Sequence, residues 1–370
     1  MSEDHIPFLS LHFQHNQLRE EILEAVEKVY DENRFIFGNE LKAFEQEFAS
    51  YIGVPYCIGV GNGLDALTLS LKCLQLSPSD EVIVPAHTFM ATWLAVVRAG
   101  AKPIAVDADP MTFNMKPELL EGAVTPRTKA IVPVHMYGQA CDMTAVLQLA
   151  DQYKISVVED NAQGHGARWL QKRTGSVGAI NATSFYPTKN LGALGDGGAV
   201  TTFDADFASL VKRYRNYGFD NNYQALDEGM NSRLDELQAA VLRRKLRSLD
   251  ANNDLRRRIA EFYLQRLEDL GELQLPRADK ESYHVYHLFV VLTQRRDQLR
   301  DHLKKHGIDT MIHYPVPPHL QPVFRHRGYR VGDFPEAERI AETCLSLPAW
   351  PGMTETMVEK VCSTIRQFFK

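Results

Sequence analysis

The 370-residue chain predicts an α/β fold, with a mainly parallel seven-stranded sheet in a large domain over residues 1–250 and a smaller α+β domain over 251–370. Two observations carry this. Seven short, nearly all-apolar runs lie between residues 57 and 202 (CIGV, EVIVPA, PIAVD, KAIVPV, ISVVED, ATSFYP and GAVTT), as strands covered on both faces require. Helix-like segments, LDALTLSLKCL, TWLAVVRAG and MTAVLQLADQY, separate several of them, which is the alternation of a parallel sheet.

The remaining elements follow in order. Residues 16–30 place Leu18, Ile22, Ala25 and Val29 on one face of an amphipathic helix. A second helix carries Leu41, Phe44 and Phe48 on one side, with Asn39 as its expected cap. From about 233 to 270 a long helix rich in Leu, Ala and Arg is expected to bend at Asp250-Ala251-Asn252-Asn253, where the domain boundary is placed. The C-terminal part shows one alternating strand, 283–292, a helix over 294–306 and a final helix over 354–369.

Composition narrows the function. Lysine and arginine number 41 against 47 acidic residues, a net charge of −6. No basic footprint for nucleic acid or an acidic membrane surface is present. No run approaches the ~20 apolar residues of a membrane span, and the N-terminus does not read as a signal peptide. Five scattered cysteines without a Cys-x-x-Cys pair point to reduced thiols, a cytoplasmic location and no metal site.

Three segments carry chemistry when taken together. In GVGNGLDALTLSL (59–71) a strand, a glycine turn and a helix N-terminus form a natural phosphate site, although alone the motif reads rather as a plain structural turn. Asp160 ends the strand VVED, where ligands bind in α/β sheets; alone it reads as a helix cap or loop carboxylate. Lys189 in SFYPTKNLGALGDGGAV is framed by glycines 192, 195, 197 and 198, and burial there would lower its pKa and let it form a Schiff base with an aldehyde. Alone it reads as a solvated loop lysine. A phosphate cradle, a strand-end aspartate and a glycine-framed lysine are together the parts that pyridoxal 5′-phosphate requires.

The chain resembles the DegT/DnrJ/EryC1/StrS family of sugar aminotransferases, which have the aspartate aminotransferase fold. The match runs nearly end to end, through VGNGLDAL, VPAHTFMAT, PVHMYGQACDM, VEDNAQGHGA, SFYPTKNLGALGDGGA, GMNSRLDELQAA and HYPVPPHLQ. The resemblance implies that Lys189 holds the cofactor and carries the proton, Asp160 pairs with the pyridine nitrogen and Gln163 reaches the ring hydroxyl. It also implies that the backbone of Gly63 and Leu64 and the hydroxyl of Ser184 hold the phosphate, and that Phe89 stacks on the ring. Read bare, Phe89 is a core aromatic. Asn231 resembles the family asparagine that reaches the neighbouring subunit's phosphate, implying a homodimer with a shared active site; read bare, Asn231-Ser232 caps the following helix.

Tyr186, Tyr217, Tyr223, His313, Tyr314 and His319 are expected sugar contacts, with His135 and Tyr137 on the pocket floor. His284 and His287, an odd number apart on the expected strand, cannot both face the cleft. Asn161 and Gly164 depart from the frequent Glu-Asp-Ala-Ala-Gln-Ala and bear on rigidity; Asn222 stands where many relatives have lysine. Lysine at 189, where family dehydratases have histidine, favours transamination.

The implied reaction takes L-glutamate and a nucleotide-linked keto-sugar through pyridoxamine 5′-phosphate. The wording of the motifs is similar to the branch that aminates dTDP-3-keto-6-deoxyhexoses, against a 4-keto position on a dTDP- or UDP-sugar. Two rivals are a non-catalytic regulator keeping the same shell and a pyridoxal-phosphate decarboxylase or lyase. The latter needs an arginine for the substrate α-carboxylate, for which Arg213, Arg215 and Arg233 are candidates by position alone.

Overall fold

The computed structural model describes residues 5–370. All seven apolar runs are strands of one sheet: β1 (Tyr56–Val60), β2 (Glu81–Pro85), β3 (Lys102–Val106), β4 (Thr128–Ile131), β5 (Ser156–Asp160), β6 (Ile180–Ser184) and β7 (Gly198–Thr202). Their order is β1-β7-β6-β5-β4-β2-β3, with only β7 antiparallel to its neighbours. Residues of these strands are almost entirely buried because helices cover both faces. On one face, α3 (Gly63–Lys72) and α4 (Met90–Arg98) pack Leu67, Leu71, Trp93 and Val96 against Val60, Val82 and Val158. On another part of the sheet, α5 (Met143–Tyr153) covers Ile83, Ile131 and Val157 with Met143 and Val146.

The register sets the level of the site. Gly198 of β7 lies opposite Val60 on one side and Ser184 on the other, so the ends of β1 and β6 come to one edge. An added Cβ at Gly198 would lie 2.5 Å from the Asn62 carbonyl, an approach that only glycine allows.

Upstream of this sheet, α1 (Arg19–Glu32) buries Ile22, Ala25 and Val29, as its periodicity predicts. Helix α2 (Asn39–Ile52) buries Leu41, Phe44 and Phe48, but Asn39 is its first helical residue and makes no cap. The buried Glu236 carboxylate instead accepts the N–H groups of Gly38, Glu40 and Leu41 at 2.7, 2.8 and 3.1 Å. A partner almost 200 residues away satisfies these donors, which no local pattern announces.

The long helix expected over 233–270 is two. Helix α7 (Glu236–Leu246) and helix α8 (Leu249–Leu267) are separated at Arg247–Ser248, ahead of the Asp-Ala-Asn-Asn stretch, which forms the first turns of α8. Helix α6 (Ala205–Tyr214) precedes them. Ser232 does not cap α7, whose N-cap is Asp235. Its hydroxyl accepts from Gly61 N–H at 2.9 Å and donates to Asp65 at 2.8 Å, stitching the chain to the β1–α3 turn.

The C-terminal core gathers Ile259, Tyr263, Phe289, Leu299, Leu303, Val361 and Ile365, with Ile6 packed into it from the N-terminus. The single strand expected over 283–292 is interrupted: only Ser282–Tyr283 and β8 (Phe289–Leu292) are extended. Between them Val285 and Leu288 donate their N–H groups to the carbonyls of Gly138 and Tyr137, and Tyr286 has a positive φ of 44°. Docking onto that turn overrides the alternation. Strand β8 pairs antiparallel with β9 (Cys344–Leu347), which sequence periodicity did not single out. Helices α9 (Arg296–Lys305), α10 (Pro335–Thr343) and α11 (Glu355–Phe368) complete the fold.

All five cysteines are buried and unpaired, and burial raises the thiol pKa of each. Among the described residues, no helix is long and apolar enough to cross a membrane, and no His, Cys, Asp and Glu cluster could hold a metal. Glu236→Ala should lower the unfolding free energy by about 3 kcal/mol in urea denaturation, because buried donors lose a charged acceptor. A change below about 0.5 kcal/mol would show that water replaces it without cost.

Candidate active site

A cleft of about 900 Å³ opens at the C-terminal edge of the parallel strands and extends to the C-terminal core. Three of its lining groups come from adjoining strand ends. Asp160 closes β5, Ser184 closes β6, and Gly63 and Leu64 begin the helix after β1. Asn62 caps that helix, its side chain accepting from Asp65 N–H at 2.9 Å. The N–H groups of Gly63 and Leu64 have no helical carbonyl within reach and face the cleft edge. Gly63 lies so close to Ser184 that an added Cβ would be 2.5 Å from the serine Cβ. Helix end and hydroxyl therefore form one anion cradle.

Lys189 sits in the loop after β6, its N–H donating to the Tyr186 carbonyl at 2.9 Å. Gly192 permits the tight return of that loop, since a Cβ there would fall 2.3 Å from the Pro187 oxygen. Desolvation lowers the Lys189 pKa from 10.5 to about 8, against the opposing pull of the Asp160 charge. Burial pushes the Asp160 carboxyl upward. The Thr92 hydroxyl at 2.8 Å and the Ala162 N–H at 3.1 Å hold its two oxygens and resist that shift. Because Thr92 donates to Asp160, Thr88 donates in turn to Thr92 at 2.9 Å.

Gln163 is buried, and its carbonyl oxygen accepts from Tyr137 N–H at 2.8 Å. This fixes the amide so that its NH2 group faces Tyr314, 3.4 Å from the phenol oxygen. Phe89 is 54% exposed at the cleft rim, with its ring centroid 5.4 Å from that of Tyr314. It is no core aromatic. Asn161 and Gly164 compensate one another: a Cβ at 164 would be 2.4 Å from the Asn161 side-chain oxygen.

Of the expected sugar contacts, Tyr186, His313 and Tyr314 line the cleft. Burial lowers the His313 pKa to about 4, and its Nδ1 lies 2.8 Å from the Ser346 hydroxyl. His319 does not line it. It is buried between Tyr329 and Phe334 with Nε2 3.0 Å from Glu338, a packing role. Tyr217 and Tyr223 also lie outside this chain's own cleft, exposed on either side of Phe219. Asn231 is exposed and outside it as well.

His135 and Tyr137 are not on the pocket floor. His135 is buried behind the sheet edge; its Nδ1 accepts from Cys141 N–H at 3.1 Å, so Nε2 carries the proton and donates to Glu159 at 2.7 Å. Tyr137 is enclosed, its hydroxyl accepting from His87 Nε2 at 2.7 Å and donating to the His313 carbonyl. The three arginines considered for a substrate carboxylate are engaged elsewhere. Arg213 pairs with Asp227, Arg215 with Glu45, and Arg233 bonds Asn216.

Of the two histidines that cannot both face the cleft, His287 lines it and His284 does not. The His287 tautomer follows from one backbone oxygen. Asn253 Nδ2 donates to the His165 carbonyl at 2.8 Å, so Asn253 Oδ1 accepts from Asn190 Nδ2 at 2.8 Å. Asn190 Oδ1 then accepts from His287 Nδ1 at 3.1 Å, which leaves Nε2 as an acceptor. Burial, with the nearby Lys189 and Arg256 charges, holds His287 well below its ordinary pKa and neutral.

A desolvated lysine, a buried carboxylate across the cleft and a helix-end anion cradle together define a site fitted to pyridoxal 5′-phosphate. The family model described as the DegT/DnrJ/EryC1/StrS aminotransferase family matches residues 16–366. The chain is 45% identical over 363 residues to a dTDP-3-amino-3,4,6-trideoxy-alpha-D-glucose transaminase of Streptomyces venezuelae, covering 98% of this chain and 96% of the relative. It is also 45% identical to a dTDP-3-amino-3,6-dideoxy-alpha-D-galactopyranose transaminase of Aneurinibacillus thermoaerophilus, covering 98% and 99%. The crystal structure of S. venezuelae DesV in complex with a ketimine intermediate superposes with a TM-score of 0.97 at 45% identity, covering 99% of both chains. The chain belongs to the DegT/DnrJ/EryC1/StrS aminotransferase family, whose members depend on pyridoxal phosphate.

Two outcomes follow. Gly63→Ala should weaken pyridoxal 5′-phosphate binding by about tenfold or more, read by cofactor dissociation, because the new methyl displaces Ser184 from the cradle. In cofactor-free protein, capture of pyridoxal 5′-phosphate should quicken as pH rises and level off above about 8, where Lys189 becomes a neutral amine. A midpoint near 10.5 would mean that the lysine is solvated.

Proposed function

We propose that this chain moves the amino group of L-glutamate onto the 3-keto carbon of a dTDP-linked 6-deoxyhexose, giving a dTDP-3-amino-3,6-dideoxyhexose. The observation that carries this reading is Lys189 and Asp160 in one cleft, with the Gly63–Ser184 cradle at its edge. The names of the two relatives, both placing the amino group on carbon 3 of a dTDP-sugar, support the 3-keto position over the 4-keto alternative.

When bound, pyridoxal phosphate supplies an aldehyde that condenses with primary amines and a ring that takes up electrons. The rest is the work of this chain's side chains. Asp160, kept oriented by Thr92 and Ala162, offers a buried negative charge that keeps a ring N–H protonated. The N–H groups of Gly63 and Leu64 and the Ser184 hydroxyl would hold the phosphate. Gln163, its amide fixed by the Tyr137 N–H, would offer its NH2 to the ring hydroxyl, and Phe89, exposed at the rim, would cover one ring face. Lys189, whose burial lowers its pKa to about 8, would in its neutral form accept the proton leaving the glutamate α-carbon and return one to the sugar carbon.

Tyr186, His313 and Tyr314 supply the sugar-facing wall. Asn231, Tyr217 and Tyr223, exposed outside this chain's own cleft, would complete the partner's cleft in a homodimer, where Asn231 reaches the partner's phosphate. The break at Arg247–Ser248 supports a division between the two domains close to residue 250, and the unpaired buried cysteines support a cytoplasmic enzyme.

Mixing the purified protein with each dTDP-keto-sugar and glutamate, followed by NMR of the product, tests the assignment. The amine should appear on carbon 3; amination of carbon 4 alone overturns it. Lys189→Ala should lower turnover by about 1000-fold or more, through loss of the proton carrier and the amine that holds the cofactor.

A further inference from the structure

Arg256, in the first turns of α8, is only 2% exposed and lines the same cleft as Lys189. Its Nη1 donates to the Ala349 carbonyl at 2.5 Å, and its Nε is fully buried without a partner. Among the described residues no carboxylate pairs with it, and burial alone lowers its pKa to about 10. Two other arginines that lie largely out of water each have a carboxylate to hand. Arg215 contacts Glu45 at 2.6 Å, and Arg243 contacts Glu40 at 2.7 Å and Glu47 at 2.6 Å. A guanidinium held out of water with no counter-charge and an open position toward a cleft is an anion site awaiting its anion.

The surrounding wall narrows that anion. His287 is neutral and presents only a lone pair. Asp309 also lines the cleft, and His5 Nε2 holds its carboxylate at 3.0 Å. Met311, Leu347 and Ala349 give an apolar surface. A small carboxylate on an aliphatic stem fits this wall, with its amine directed toward Lys189. The fork of a guanidinium matches a carboxylate bidentately, which an ammonium does not.

We infer that Arg256 binds a carboxylate of the amino donor and so selects an acidic amino acid as the nitrogen source. The inference rests on the reading that the chain is a glutamate-dependent aminotransferase and adds the residue that would recognise the donor. Neither Arg257, stacked on Tyr283 at 4.1 Å from the ring centroid, nor the exposed Arg258 shares its position.

The probe is glutarate, which carries both carboxylates of glutamate but no amine to react, titrated calorimetrically into the holoenzyme beside the uncharged glutaramide. Wild-type protein should bind glutarate and not glutaramide. Arg256→Lys should weaken glutarate by about 10- to 100-fold, the loss expected for a charge-assisted bidentate contact, while Arg257→Lys changes it by less than about threefold. The KM for glutamate should rise in Arg256→Lys far more than that for the keto-sugar. Equal binding of glutarate and glutaramide to wild-type protein overturns the inference even if the variant fails to fold, and so does an Arg256→Lys variant that binds glutarate as wild type does. If glutarate depends on Arg256 but glutamate does not aminate the wild-type cofactor, the donor assignment fails and the carboxylate site stands. If glutamate turns over while glutarate ignores Arg256, the site fails and the donor assignment stands.

Discussion

Two opposite charges share one desolvated cleft, and each keeps the other usable. Loss of water would drive Asp160 toward its neutral form and Lys189 toward its neutral amine. The Ala162 N–H, the Thr92 hydroxyl and the attraction of Lys189 oppose the shift at Asp160, and the Asp160 charge opposes the shift at Lys189. Everything that places these groups follows from strand order. Strands β5 and β6 are parallel neighbours, with Asp160 opposite Ala182, so the carboxylate and the lysine loop leave the sheet at the same edge. Strand β7 brings β1 and its helix to that edge by running between them.

The alternation of a strand separates two adjacent acids into different tasks. Asp160 turns to the cleft, while Glu159 turns away and accepts from Gly175, Val177 and Gly178 N–H groups and from His135. Burial raises its pKa, and those donors more than reverse the shift, so it stays ionised. The loop leading into β6 is thereby tied to β5, and Ser184 is held level with the helix end it faces. On the other side of the cleft, side-chain amides pass the direction of one backbone carbonyl through Asn253 and Asn190 to His287. Polar groups this deep stay in place because each donor has one acceptor to choose.

The sheet was legible because buried parallel strands need unbroken apolar runs, and few other structures do. Lys189, Asp160 and the Gly63 turn were legible because glycines and strand ends leave a local signature. What escaped depends on distant partners. Nothing near Asn39 announces that Glu236 caps its helix, and nothing in the alternation of 283–292 reports the turn at Tyr137–Gly138 that breaks it. His319, His135 and Tyr137 are residue types suited to sugar binding, but their hydrogen bonds are spent within the core. Arg256 is one of three consecutive arginines, and only helix phase against the cleft sets it apart from Arg257 and Arg258.

The central claim is that one amine, positioned by the loop after β6, binds the cofactor's aldehyde. Treating the holoenzyme with borohydride and mapping the peptides by mass spectrometry tests it most directly. The account predicts a single pyridoxyl adduct, on Lys189. An adduct on any other lysine, or none in protein that retains its yellow colour before reduction, would contradict it.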